Sequence, residues 1–452
     1  MPVSGDLGAF GSGATPDQVV CHVDMDCFYA ACERLREPAL RGQPLVVGMG
    51  YESEEPHGAV ATASYEAREF GVESAMAISE ALERLPRKVE AATDPDLDVE
   101  EAGFYRPVDL DYYSDVGSEV KAILHEHAEA VREVSIDEAY LDVTDRVVWD
   151  DEEGDGAMEG ADDEERTPVT EFATSLKERI GEEVGVVASV GVAPTMSAAK
   201  IASDYDKPDG LVVVEPGEVQ EFLAPLEVEE IHNVGPVTAR ELRDIGIETA
   251  GDLATADPEQ IRDRFGERGL EVRRFARGED PREVTPVGEP KSLSRESAFT
   301  EQTTDPERKR EKVSALAADV AERAQREGAL YRTIGIKVVT PPFDVNTRAE
   351  SLPGPVEDAD LLESTALELL TEFEDDAVRK LGVRVSNLSF TEDEQASLAG
   401  FEGASGDGNG SGESAASRGD GEDDEDGGDE SGGADPPPSD DREGQQSLWE
   451  YE

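Results

Sequence analysis

The chain has 452 residues, long enough for two to four domains, with 41 Lys and Arg against 106 Asp and Glu and a formal net charge of −65. No run approaches the ~18 apolar residues of a membrane span, and the first twenty residues lack the basic start and apolar core of a secretory signal, so neither a membrane protein nor a secreted one is expected. On the usual reading, −65 also argues against a nucleic-acid partner, because such binders carry basic patches.

Residues 1–18, rich in Gly and Ser, read as a flexible N-terminus. Residues 19–23 (VVCHV) form a β-branched run, a strand that stops at Asp24-Met25-Asp26. Phe28, Ala31, Cys32 and Leu35 then recur at helical spacing, ahead of Pro38. Residues 44–48 and 58–63 read as strands, and residues 65–70 as a helix closed by Gly71. Cys21, Cys27 and Cys32 match no zinc spacing, and their odd number argues against a disulfide framework; free thiols are expected. His125 and His127, flanking Glu126, read as a solvated helix face rather than a metal site.

Residues 131–135 and 139–143 are strand-like runs joined through Ile136-Asp137-Glu138, a hairpin-like element with two acids at its bend. The stretch 150–165 (DDEEGDGAMEGADDEE) reads as a surface insertion. A helix over 171–183, a strand over 186–192, a helix over 195–205 and a strand over 211–214 complete an α+β domain. Residues 215–282 are helical with short loops. There Ile231-His232-Asn233-Val234-Gly235-Pro236, followed by 238–242, has the spacing of a helix-hairpin-helix. Backbone N–H groups at such a turn suit a phosphate oxygen, which makes Val234, Gly235 and Thr238 candidate DNA contacts.

The last ordered block, 291–390, alternates strands at 292–299, 332–339 and 379–390 with helices at 308–327 and 361–374. It carries 14 basic and 19 acidic residues, far less acidic than the rest of the body, and contact with a polyanion is inferred. Residues 391–444 are acidic, Gly-rich and expected to be disordered, with too little apolar surface to offset ordering entropy. Residues 393–452 hold 19 acidic and 2 basic residues, so −48 of the −65 belongs to the body. That body is Lys-poor, with 10 Lys among 41 basic residues. An acid-rich, Lys-poor folded body resembles the proteins of salt-accumulating halophiles, the alternative being an acidic mesophilic protein. In molar salt the Debye length is roughly 3 Å, and repulsion between surface carboxylates is largely screened.

Three carboxylates on adjacent strand ends, Asp24, Asp137 and Glu138, suit two Mg²⁺ ions, hard cations that prefer oxygen ligands. Two such ions serve in-line phosphoryl displacement. DMDCFYAACE at 24–33 and SIDEAYLDVT at 135–144 resemble the two catalytic motifs of Y-family DNA polymerases, the lesion-bypass enzymes, with the DinB (DNA polymerase IV) branch fitting best. SYEAREFGV at 64–72 is similar to that family's fingers motif, AAKIASDYDKPDG at 198–210 to a palm motif, and the helix-hairpin-helix falls where a thumb belongs.

The resemblance implies a multidomain right-hand α+β polymerase. Its palm would be 19–27 plus 95–214, its fingers 28–94, its thumb 215–283, a linker 284–290 and a little finger 291–390. It implies Asp24, Asp137 and Glu138 as catalytic metal ligands for two Mg²⁺ ions, with the Met25 backbone carbonyl as a further ligand. Tyr29 would be the steric gate against a ribonucleotide 2′-OH, and Phe28 would line the nucleotide pocket. Tyr65, Arg68 and Lys207 would bind the triphosphate, while Lys200 would support the palm or contact DNA. The implied substrates are dNTPs and primer-template DNA, copied past damaged bases by a cytoplasmic monomer without a proofreading exonuclease. At the very end, residues 445–452 resemble a sliding-clamp (PCNA) binding peptide, with Gln445, Leu448, Trp449 and Tyr451 as its contacts. Two other readings are a non-catalytic DNA- and clamp-binding scaffold and a palm-type nucleotidyl cyclase.

Overall fold

The β-branched run near the N-terminus forms β1 (Val20–Met25), the middle strand of the largest sheet. Pleating sends its alternate side chains to opposite faces. Cys21, Val23 and Met25 enter one apolar core, while Val20 lies in another, and His22 and Asp24 share its face. The computed structural model describes residues 18–51, 58–149 and 167–390. The expectations for residues 1–17, the insertion at 150–165, the acidic tail and the clamp peptide with Gln445, Leu448, Trp449 and Tyr451 lie outside the described residues.

The chain forms two units, Met1–Gly288 and Glu289–Glu452. In the first, β1 leads into the helix Phe28–Arg36, which ends at Glu37 because Pro38 follows. A small sheet comes next, built from β2 (Leu45–Met49), β3 (Ala59–Ala63) and β4 (Phe104–Pro107) in the order β3-β2-β4. The helix at 65–70 is shorter than its periodicity suggests, spanning Tyr65–Arg68, with the Ser64 hydroxyl accepting from the Ala67 amide at its start.

The helix Leu110–His127 returns the chain to the large sheet. There β5 (Ala130–Glu133), β6 (Glu138–Asp142), β7 (Ala188–Ala193) and β8 (Leu211–Val213) join β1 in the order β5-β6-β1-β7-β8. β1 is antiparallel to both neighbours, β6 and β7. Helices Leu110–His127 and Pro168–Glu183 cover one face through Tyr113, Val120, Leu124, Leu176 and Ile180. The helix Met196–Tyr205 covers the other through Met196, Ala198, Ala199 and Ala202.

That second core continues into the helical segment 215–282, where it takes in Leu223, Val228, Ile231, Leu242, Leu253 and Phe275. Its hairpin differs from the expectation in one respect. The element before the turn is a single 3-10 turn, Val228–Glu230, and only the second member, Pro236–Arg243, is a full helix.

The second unit is one sheet in the order β11-β10-β12-β9, from β9 (Ser292–Thr303), β10 (Ala329–Thr340), β11 (Asp344–Val356) and β12 (Val378–Phe390). Helices Pro306–Glu327 and Ala359–Leu370 pack on one face over Leu293, Ile334, Leu381 and Val383. β11 escapes sequence reading because it is largely polar and exposed and carries Pro353 and Pro355, residues tolerated only where the ladder has an open side; it is an edge strand. No helix among the described residues is long and apolar enough to cross a membrane.

The helix Met196–Tyr205 lies so close to β7 that a Cβ on Gly191 would stand 2.1 Å from the Ala199 carbonyl and 2.2 Å from the Ser203 amide. Backbone cannot yield as a side chain does, so Gly191→Ala must push the helix off the sheet. It is expected to cost about 1–3 kcal/mol, read as a lower urea midpoint in molar KCl; an unchanged midpoint would contradict this packing.

Candidate active site

The antiparallel register of β1 and β6 sets Asp24 opposite Glu138 and His22 opposite Tyr140, all on the face covered by the helix Met196–Tyr205. Helical spacing then delivers Lys200, Ser203 and Asp204 to the same place, and the loop after the helix delivers Lys207. Lys200 Nζ lies 3.0 Å from Asp24 Oδ2, 3.3 Å from Glu138 Oε1 and 3.4 Å from Asp204 Oδ2. Lys207 Nζ lies 2.7 Å from Asp24 Oδ1 and 2.8 Å from Asp204 Oδ1. Three carboxylates and two ammonium groups thus form one partly buried network. Lys200, expected to support the palm or touch DNA, belongs to the carboxylate cluster itself.

Burial penalises every charge here, and the pairing more than offsets it for most of them. Lys200 is disfavoured by burial, yet Asp24, Glu138 and Asp204 hold its ammonium well above the usual range. Lys207 is raised in the same way by Asp24 and Asp204 against the cost of burial. Burial pushes Glu138 up, but a hydrogen bond from His22 and the Lys200 charge bring its carboxyl down to about 2. Asp137 behaves oppositely. Burial raises it, the Ser135 hydroxyl bonded to Oδ1 counteracts, and the negative charges of Asp24 and Glu138 raise it further.

Met25 is tied to the same bend, its amide donating to the Asp137 carbonyl at 2.9 Å. Among the described residues, no three His, Cys, Asp or Glu side chains stand gathered as around a bound metal. The donor set nevertheless fits a hard divalent cation, since carboxylate oxygens are its preferred ligands. In this structure the two ammonium groups supply the positive charge that balances them. Binding an ion would exchange lysine for metal on Asp24 and Glu138.

Asp26 was not singled out in the sequence, yet it is 7 % exposed and anchors three elements. It accepts from Tyr65 Oη at 3.2 Å, from Ser189 Oγ at 3.0 Å and from the Asp209 amide at 2.7 Å. It therefore ties the Tyr65 helix and the Lys207–Asp209 loop to the end of β1. Beside it, Arg68 Nε donates to the Ala63 carbonyl at 3.1 Å, and its guanidinium lies 4.7 Å from the Tyr65 ring centroid.

Tyr29 is 6 % exposed and stacks on Tyr113, with ring centroids 4.7 Å apart. Tyr113 in turn donates to Glu33 at 2.8 Å. Phe28 is enclosed in the core, 1 % exposed. At the hairpin, Val234 is buried, Gly235 precedes the first turn of the helix Pro236–Arg243 without a capping side chain, and Thr238 is half-buried in that helix. His125 pairs with Glu133 at 3.0 Å, and His127 Nδ1 donates to the Ile123 carbonyl, as a helix face rather than a metal site. The three cysteines are free thiols, with burial pushing Cys21 and Cys32 up to about 12.

Comparison with known proteins covers both units. The model of the impB/mucB/samB family matches residues 23–204, that of the IMS family HHH motif residues 216–247, and that of the impB/mucB/samB family C-terminal domain residues 290–398. The chain is 60% identical over 401 residues to the DNA polymerase IV of Halobacterium salinarum, covering 88% of this chain and 92% of that protein. It is 39% identical over 388 residues to the DNA polymerase IV of Methanoculleus marisnigri, covering 86% of this chain and 99% of that protein. Among solved structures, a Y-family DNA polymerase chimera of Dbh and Dpo4 aligns with a TM-score of 0.68 at 28% identity, over 82% of this chain and 100% of that one. An insertion ternary complex of Dbh DNA polymerase aligns at 0.56 and 26% identity, again over 82% and 100%.

Asp26→Ala would deprive three donors of their acceptor, among them the fully buried Ser189 hydroxyl. Leaving such groups unpaired costs about 1–3 kcal/mol, so the urea midpoint in molar KCl should fall, with Tyr65→Phe falling less. Equal stability of Asp26→Ala and the unmodified chain would contradict the anchoring role.

Proposed function

The chain belongs to the impB/mucB/samB family and is a Y-family DNA-directed DNA polymerase of the DNA polymerase IV kind, and from that premise we propose how its residues divide the work. Asp24, Asp137 and Glu138 are the metal-binding carboxylates. The observation that carries this assignment is the pairing of Asp24 with Glu138 across two strand ends, next to Asp137 and under two lysines. The enzymes of this family depend on divalent metal. Two Mg²⁺ ions held here would activate the primer 3′-OH and stabilise the leaving oxygen of an in-line displacement.

The protein's own groups do the rest. Arg68 offers a guanidinium fork to the triphosphate, and the Tyr65 ring beneath it keeps that fork in place. Lys207 adds a point charge, leaving Asp24 and Asp204 for phosphate oxygens when a dNTP arrives. Tyr29, backed flat against Tyr113, forms a stiff wall where a ribose 2′-OH would collide. Phe28, its ring centroid 6.1 Å from that of Tyr29, lines the nucleotide pocket beside it. The Met25 carbonyl supplies a further oxygen ligand. The backbone around Val234, Gly235 and Thr238 receives a DNA phosphate, and the sheet of the second unit grips the duplex.

The reaction joins the primer 3′-oxygen to the dNTP α-phosphorus and releases pyrophosphate, past damaged template bases and without a proofreading exonuclease, in a cytoplasmic monomer. A non-catalytic scaffold is set aside by the family, and a nucleotidyl cyclase would need neither the hairpin motif nor the C-terminal unit. The acid-rich body fits a halophilic archaeal source, in keeping with the Halobacterium relative.

Two experiments test this reading. In primer extension across a KCl series, activity should persist at molar salt, and Asp137→Ala should slow it by about a thousandfold or more, roughly 4 kcal/mol of barrier, with DNA affinity kept. Comparable extension by the mutant would refute the site. For the C-terminal peptide, Leu448→Ala and Tyr451→Ala should each weaken binding to a sliding clamp by about tenfold, as loss of an apolar anchor does; unchanged affinity would refute that contact.

A further inference from the structure

His22 is completely buried, and both ring nitrogens are engaged. Nε2 lies 2.7 Å from Glu138 Oε1, and Nδ1 lies 2.7 Å from Ser203 Oγ. The ring of Tyr140, its cross-strand partner, packs edge-on with centroids 4.5 Å apart. A carboxylate only accepts, so Nε2 carries the proton toward Glu138. At the other nitrogen, the Ser203 hydroxyl bridges Nδ1 and the Lys200 carbonyl, 2.8 Å away, which ties the ring to the helix Met196–Tyr205. Nothing else about the position calls for an imidazole: its neighbours in sequence are Cys21 and Val23, and the covering helix presents Ala199 and Ala202. A buried polar ring in such surroundings costs free energy unless its bonds are made.

We infer that His22 is a positioning residue of the catalytic centre, holding one oxygen of the Glu138 carboxylate so that the other is presented for metal ligation, with Ser203 orienting the imidazole. The bond from His22 and the nearest contact from Lys200 both fall on Oε1, and Oε2 carries neither. The two restraints differ in kind. Lys200 is shared among Asp24, Glu138 and Asp204 on a flexible stem, whereas His22 is rigid, is committed to Glu138 and is locked between β6 and the helix Met196–Tyr205. When a metal draws Asp24 and Glu138 away from the lysines, the imidazole bond is the restraint that remains. Outer partners of this type orient a ligand before the ion arrives, and their loss costs about 10–100-fold in metal affinity or activity.

The inference rests on Glu138 being a metal ligand, and its test separates the two claims. The full chain is mixed in molar KCl with dideoxy-terminated primer-template and a non-hydrolysable dNTP analogue, and free Mn²⁺ is counted by electron paramagnetic resonance as Mn²⁺ is added. His22→Leu should weaken Mn²⁺ binding about tenfold, with DNA affinity unchanged. His22→Gln, which keeps an N–H at the same reach, should restore it to within about twofold, and Ser203→Ala should lose about three- to fivefold. Wild-type affinity in His22→Leu overturns the inference, and so does a Gln variant as weak as the Leu variant. Should His22→Leu fail to fold, Ser203→Ala decides, and unchanged Mn²⁺ affinity there overturns it. Asp137→Ala is the control: if it binds Mn²⁺ normally, the metal-site assignment itself fails, whereas if it loses binding while His22→Leu does not, only the role of His22 falls.

Discussion

The pairing of β1 with β6 is the constraint on which the rest of the structure depends. An antiparallel ladder in this register must place Asp24 beside Glu138 and His22 beside Tyr140, and it leaves Asp137 at the bend just beyond. A slip of one residue would send His22 and Asp24 into the apolar core that now holds Cys21, Val23 and Met25. Burying the core therefore enforces the chemistry. Close approach of the helix Met196–Tyr205, permitted by Gly191, then brings two ammonium groups and a hydroxyl to the same carboxylates.

Such a site is poised rather than relaxed. Like charges set at strand ends would repel, and partial burial makes that repulsion costly. Lys200 and Lys207 relieve it in this structure, while His22 restrains one carboxylate without adding a charge that competes for phosphate. A cation would take over the carboxylates that these lysines now neutralise, and a triphosphate would draw the lysines themselves. Charge over the whole molecule has a different logic. The −48 of the body is unevenly distributed along the chain, and it thins over residues 291–390, where 14 basic residues meet 19 acidic ones. Net charge excluded a nucleic-acid partner only while it was read as one number.

Much of this was legible in the sequence because the informative residues lie in regular elements. β1, the helix Phe28–Arg36, the 195–205 helix and the strands β9, β10 and β12 follow from residue type, periodicity and bounding residues. Three kinds of feature were not legible. β11 hides as a polar, proline-bearing edge, and the first member of the hairpin is one 3-10 turn where a helix was expected. Asp26 looks like one acid among 106, and its role appears only when Tyr65, Ser189 and Asp209 converge on it from distant parts of the chain. His22 did leave a trace, as the one imidazole in a β-branched run and two residues from Asp24, but the meaning of that spacing depends on the register with β6.

The central claim is that the strand-end carboxylates exchange lysine for divalent metal. The most direct measurement is an anomalous difference map from crystals of the full chain with dideoxy-terminated primer-template, a dNTP and Mn²⁺. The account predicts manganese peaks at about 2.0–2.3 Å from carboxylate oxygens of Asp24 and Glu138, the range of hard-ion ligation, with Lys207 moved from Asp24 to the triphosphate. A fully liganded complex in which Lys207 still bridges Asp24 and Asp204, and manganese lies elsewhere or nowhere, would contradict it.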